Sequence, residues 1–115
     1  MKRGGIKTLR NKADRVMQEF YRERKPRCEM CGAQSSCQHH IISKAASSAL
    51  RYKEENLVSV CTGCHLKFHS KFAPEMVARL TLMRGQEWYD KLQVAKQEYV
   101  KPSQKYYKLI IEKYG

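Results

Sequence analysis

Every cysteine and every histidine of this 115-residue chain falls between residues 28 and 69. Cys28-x2-Cys31 and Cys61-x2-Cys64 have the spacing of metal knuckles. A two-residue turn lets both sulfurs of a pair reach one tetrahedral ion, and two such turns close a site. Zn2+ accepts four thiolates, so Cys28, Cys31, Cys61 and Cys64 read as a structural zinc site. A redox Cys-x-x-Cys would sit in a βαβ pattern, which is missing here, and the spacing does not suggest disulfides. The stretch between the pairs, residues 32–60, exceeds the roughly 15–20 residues of a simple zinc ribbon, so something is inserted. Cys37, the odd cysteine, reads as a small buried hydrophobe rather than a reactive thiol.

The histidines supply the chemistry of the insert. His65 and His69 are i, i+4, and on a helix they project from one face as two ligands of one ion. His39 and His40 are adjacent, and on a strand their side chains point to opposite sides. One can then hold a metal while the other faces a substrate. Asn56 precedes Leu57-Val58-Ser59-Val60, a short apolar strand. Asn there is a turn residue that bonds nearby backbone, and such a turn would also fix the chain behind a catalytic histidine.

Taken together, His39-His40, Asn56, Cys61-Thr62-Gly63-Cys64-His65 and His69 resemble the HNH endonucleases of the ββα-metal type. The His-His start and the final His-x3-His are similar to the nuclease-colicin branch. The two knuckles and the Asn-Leu-x3-Cys-x2-Cys-His string resemble the zinc-containing phage and bacterial branch. The resemblance covers about 43 residues. It implies a small ββα-metal core stapled by the four-cysteine zinc; with the basic helices that charge and periodicity give on either side, the expected fold is α+β. It also implies that His39, His65 and His69 hold one catalytic divalent ion, that His40 is the general base, and that Asn56 pins the loop behind it. The implied reaction is hydrolysis of DNA phosphodiester bonds, leaving 5′-phosphate and 3′-hydroxyl ends. Many zinc-knuckle members have Asp-His where this chain has His39-His40. Three neutral imidazoles suit Zn2+, Ni2+, Co2+ or Mn2+ better than Mg2+. More loosely, Glu23-Arg-Lys-Pro-Arg-Cys28 and Arg79-Leu80…Gly85-Gln86-Glu87 around this core are similar to phage NinG/Rap-type recombination proteins. An intracellular, cytoplasmic phage or bacterial protein is the corresponding expectation.

The elements around the centre must position it. The chain carries 23 Lys and Arg against 11 Asp and Glu, a formal charge of +12. Residues 1–27 account for +7, residues 28–70 for +1 and residues 71–115 for +4. This reads as a single domain with a near-neutral zinc-knuckle core at 28–70, a basic N-terminal helix in 1–27 and a helical C-terminal arm in 71–115. The charge favours a polyanion, nucleic acid being the commonest; the resemblance makes DNA the expected partner, with RNA as an alternative. No apolar run is long enough for a membrane span, and MKRGGIKTLR lacks the apolar stretch of a signal peptide. Leu9, Ala13, Val16, Met17 and Phe20 give one face of a helix over about 9–24, which Pro26 ends. Pro74 and Gly85 bracket another helix. Trp88, Leu92 and Ala95 lie on a helix from Gln86 to about Tyr99. Tyr106, Leu109, Ile110 and Tyr114 repeat at helical spacing after Pro102. These aromatics could stack on bases, but core is the better reading.

Three other functions compete. One is a non-catalytic zinc module that binds nucleic acid, which does not account for four histidines and an Asn at nuclease spacing. Another is a nuclease subunit active only with a packaging or recombination partner. The third is a toxin nuclease, for which no translocation segment is visible. A homodimer through the C-terminal arm would let two single-metal sites cut both strands.

Overall fold

A computed structural model describes residues 5–115; Lys2 and Arg3, counted in the basic N-terminal flank, lie outside the described residues. The elements are α1 (Gly5–Arg24), β1 (Cys37–His40), a 3-10 turn (Glu54–Asn56), β2 (Leu57–Val60), α2 (Thr62–Phe68), α3 (Ala73–Arg84), α4 (Gln86–Ala95) and α5 (Gln104–Tyr114). β1 and β2 pair antiparallel, with Cys37 opposite Val60 and His40 opposite Leu57. α2 follows β2 directly, so β1, β2 and α2 form a ββα unit. No helix among the described residues is long and apolar enough to cross a membrane.

Side chains alternate across a strand pair, so each face of this sheet buries a different cluster. Val58 and Val60 face the knuckles and join Cys28, Met30, Cys64, Phe68, Met76 and Leu80. Leu57 faces the other way and joins Ala13, Met17 and Tyr21 of α1, Tyr52, and Tyr107 and Tyr114 of α5. The aromatic stripe of α5 is therefore core, packed on α1. Leu109, the remaining member of the stripe, is 56 % exposed.

Local sequence explains the element ends. α1 stops with Arg22 and Arg24 in its last turn, where cations complement the helix dipole. Gly85, at φ 104°, breaks α3 from α4 in a conformation that disfavours a Cβ. Ser103 caps α5, its Oγ accepting from Tyr106 N–H at 3.1 Å. α4 ends at Ala95, four residues short of the periodicity-based expectation. Val94 is 71 % exposed and Tyr99 75 % exposed, so nothing apolar rewards another turn.

Three ion pairs tie the arms to the centre, one of them Lys25 with Glu54 at 2.8 Å. Arg84 forks onto Glu29 with two bonds of 2.7 Å and also donates to the Leu57 carbonyl. Asp14 of α1 accepts from Arg51 Nε at 3.0 Å, from Arg51 Nη2, and from Tyr52 Oη at 2.7 Å. Gln18, one turn along α1, brackets Gln38 of β1. Its Nε2 donates to the Gln38 carbonyl at 3.1 Å, and its Oε1 accepts from the Gln38 N–H at 2.8 Å. The N-terminal helix is thus built into the fold rather than attached to it.

Burial alone would raise the Asp14 pKa, but the bonds from Arg51 and Tyr52 outweigh it and hold the carboxyl below its ordinary 3.8. The group's folded value is depressed, so its contribution is present above pH 3.8 and is lost as pH falls through the folded value. Asp14→Asn should cost about 1–2 kcal/mol at pH 7, allowing for solvent screening. Urea unfolding of wild type and variant should converge in acid; an equal gap at all pH would refute the ionic contribution.

Candidate active site

The first knuckle forms because the chain turns back on itself after Pro26. Gly32 N–H donates to the Cys28 carbonyl at 2.8 Å and Cys28 N–H to the Ala33 carbonyl. Gly32 sits at φ 82°, the left-handed region such a turn requires. Glu29 N–H reaches the Ser59 carbonyl at 2.8 Å and docks the knuckle on β2. The second knuckle is also the start of α2. Cys61 is its N-cap residue, with Sγ accepting from Cys64 N–H at 3.4 Å.

The ligand atoms of Cys28, Cys31, Cys61 and Cys64 all lie within 4.8 Å of one another. Cys31 and Cys61 Sγ are 3.6 Å apart. Sulfurs about 2.3 Å from a shared tetrahedral ion would be separated by roughly 3.8 Å, so the cluster fits one metal. The thiols interfere with one another in the absence of a cation. Burial opposes ionisation of both Cys28 and Cys64. Backbone donors at Cys61, Cys31 and Met30 overcome it at Cys28, bringing the pKa to about 7. The other thiols reinforce it at Cys64, pushing the pKa up to about 12. A cation among four thiolates removes that conflict.

A second cluster comprises His39, His65 and His69, again with ligand atoms within 4.8 Å of one another. His65 and His69 approach through their Nε2 atoms, 3.1 Å apart. That is close to the roughly 3.3 Å expected for two nitrogens on one tetrahedral ion. The His39 ring stacks on Phe68 at 4.6 Å, which fixes its plane. Burial, then the neighbouring His65, His69 and His40, drives the His39 pKa down to about 3. Burial, then His69, lowers that of His65. These two imidazoles are therefore held neutral, as ligation requires.

His40 is on the other face of β1. Its Nε2 lies 2.8 Å from the Arg51 carbonyl oxygen. A carbonyl only accepts, so Nε2 carries the proton and Nδ1 keeps the lone pair. Burial lowers its pKa, partly offset by the Arg51 carbonyl bond. All four histidines line one cleft of about 370 Å3, together with Gln18, Ser43 and Lys44. Asn56 is fully buried and lies outside that cleft. Its Oδ1 accepts from Ile42 N–H at 2.7 Å, and its Nδ2 donates to the carbonyls of Ile42 and Leu50 at 2.9 and 3.1 Å. One side chain closes both ends of the excursion that follows His40.

Sequence reasoning missed three contributors. Cys37 is only half-buried, and its Sγ lies 3.3 Å from His65 Nδ1, the ring nitrogen away from His69. It orients a candidate ligand, where the sequence suggested an inert filler. The signal was available, since Cys37 and His39 are two apart on a strand and share a face. Cys37→Ala should weaken divalent-metal binding at the histidine cluster about 10–100-fold, with the four-cysteine metal retained. Isothermal titration with Mn2+ measures it, and unchanged affinity would show the contact to be incidental. Gln18 and Arg51 had no sequence signal, because Gln18 acts on the backbone of Gln38 and Arg51 acts through its own carbonyl, which any residue carries.

Compared with known families, residues 28–71 match the family model described as HNH endonuclease. The match starts at the first knuckle cysteine and closes two residues beyond His69, so it encloses both clusters, His40 and Asn56. α1, α3, α4 and α5 lie outside it, as do the flanking residues behind the likeness to NinG/Rap-type proteins. The chain matches no curated protein and no solved structure.

Proposed function

We propose that the protein is a metal-dependent endonuclease that hydrolyses DNA phosphodiester bonds. The observation that carries this reading is the cleft in which three converging imidazoles meet a fourth whose lone pair is on the opposite nitrogen from its hydrogen bond. In this reading His39, His65 and His69 hold the catalytic ion, and Cys28, Cys31, Cys61 and Cys64 hold a structural Zn2+. A divalent ion at the histidines supplies stabilisation of charge growing on the phosphate and the leaving 3′ oxygen. His40 accepts the proton of the attacking water on Nδ1, while its Nε2–H stays on the Arg51 carbonyl. Asn56 keeps the following loop from shifting that ring. The four-thiolate site anchors α2, because Cys64 directly precedes His65.

Purified protein incubated with supercoiled plasmid and Mg2+, Mn2+, Co2+, Ni2+ or Zn2+ in turn tests the reading. Nicked or linear product with at least one metal is expected. Binding without cleavage under every metal would leave a non-catalytic nucleic-acid module.

Arg15, Gln18 and Arg22 follow one another at helical spacing along α1, and Gln18 lines the cleft opposite exposed Lys44. We assign Arg15, Arg22 and Lys44 to the phosphates flanking the scissile bond. Such contacts position the duplex without reading its sequence, so specificity should be weak. Each phosphate left without its cationic side chain lowers the slope of log affinity against log salt by about 0.9. The combined Arg15→Gln, Arg22→Gln, Lys44→Gln protein should therefore show a slope shallower by roughly 2–3, by fluorescence anisotropy. An unchanged slope removes these residues from the interface. Substitution is the sound test, because deleting α1 would strip Ala13, Met17 and Tyr21 from a buried cluster.

A further inference from the structure

The peptide group joining Arg51 to Tyr52 is held from both sides by one carboxylate. Its carbonyl, that of Arg51, accepts from His40 Nε2 at 2.8 Å. The side chain before the peptide, Arg51, forks onto Asp14, and the side chain after it, Tyr52, donates to the same Asp14 at 2.7 Å. The next carbonyl, that of Tyr52, accepts from Tyr114 Oη at 3.1 Å, and Tyr114 Oη lies 3.1 Å from Tyr21 Oη. The acceptor that sets the His40 tautomer is thus fixed to α1 and α5, both outside the matched segment 28–71.

From this we infer that Asp14 is a positioning residue for His40: it holds the Arg51 carbonyl where it fixes the ring's orientation and keeps Nδ1 unprotonated. The inference rests on the nuclease reading for its consequence in catalysis, but not for its geometry. A helix-packing role alone would call for an apolar residue here, beside Ala13 and Met17. Instead the chain places a half-buried carboxylate and satisfies it with three donated bonds. Bonds to an ionised acceptor are stronger than neutral ones, and the bidentate Arg51 fork adds a fixed direction. Removing the carboxylate frees the Arg51 side chain and lets the 51–52 peptide rotate. His40 then loses its acceptor and samples both neutral tautomers, only one of which leaves the lone pair on Nδ1.

The test uses the whole 115-residue chain, zinc-loaded, with Asp14→Ala and, as a milder change, Tyr52→Phe, which keeps the ring in its cluster and removes one bond. Long-range 1H–15N spectra of the imidazoles read the His40 tautomer directly. Wild type should show the Nε2–H form, and both variants a mixture, larger for Asp14→Ala. With plasmid, kcat should fall roughly tenfold to a hundredfold in Asp14→Ala, with KM and metal affinity unchanged. A simple loss of packing would not move the tautomer while leaving metal affinity intact. If Asp14→Ala does not fold, Tyr52→Phe carries the same readout. A single Nε2–H tautomer in every folded variant would overturn the inference. If wild type cuts nothing under any metal, the nuclease reading fails, and the tautomer shift still decides the positioning role.

Discussion

His40→Ala should fold, hold both metals and bind DNA, yet cleave about 10²–10⁴ times more slowly, the usual worth of a positioned general base. The expectation follows from the alternation of β1. His39 and His40 are neighbours in sequence but serve opposite faces of the sheet. His39 stacks on Phe68 beside His65 and His69, whereas His40 bonds the Arg51 carbonyl on the side of α1. Removing the His40 ring therefore leaves the three-imidazole cluster intact. His39→Ala, His65→Ala and His69→Ala should behave differently. Each lowers affinity for the catalytic ion, and raised metal concentration refills a weakened site by mass action. A missing base cannot be refilled. Cleavage rates across a metal titration separate the two classes. If metal rescues His40→Ala as well as it rescues His65→Ala, base and ligand have been exchanged. If none of the four substitutions slows cleavage, the activity belongs to a contaminant.

Cys28→Ser should leave a protein without zinc that is unfolded or aggregated at about 25 °C. Cys28 is 2 % exposed at the centre of the cluster that faces the knuckles. Metal binding at structural sites of this kind contributes about 10–16 kcal/mol, against a total of about 5–15 kcal/mol for a typical domain. The segment has few other resources, with two four-residue strands and a seven-residue helix. Serine oxygen replaces a soft thiolate that the ion prefers. Elemental analysis and near-ultraviolet circular dichroism read the outcome. A folded, freshly purified protein with no zinc, wild type or variant, would refute the structural metal. Loss of this site should also silence the histidine cluster, since Cys64 places the first turn of α2 and with it His65.

The centre was legible because its chemistry is local. Metal ligands come in fixed spacings, and His65 and His69 are related by a single helical turn. The strand before them was visible as an apolar run following Asn56, and the helices as periodic apolar residues, two of them closed by Pro26 and Gly85. What connects the parts was not legible. Asp14 looks like any of the three acids in a basic helix, and only folding brings it between Arg51 and Tyr52, 37 and 38 positions further along the chain. The tyrosines of α5 could be assigned to a core but not to α1, because periodicity shows that a helix has an apolar face and not which helix covers it. The end of α4 depended on the absence of a neighbour for Val94, which no local pattern records.

The two bonds from Gln18 to Gln38 have a further consequence. Among the described residues β1 belongs to a sheet of two strands, so its outer side would expose unpaired amide and carbonyl groups. Such an edge is a template for another chain to add a strand. The primary amide of Gln18 offers one donor and one acceptor to the same residue, as a neighbouring strand would, and so ends the ladder after two strands. The protection falls on the strand that carries His39 and His40, where an added strand would obstruct the mouth of the cleft. Another strand pairing at Gln38 would first have to displace both bonds from this one side chain.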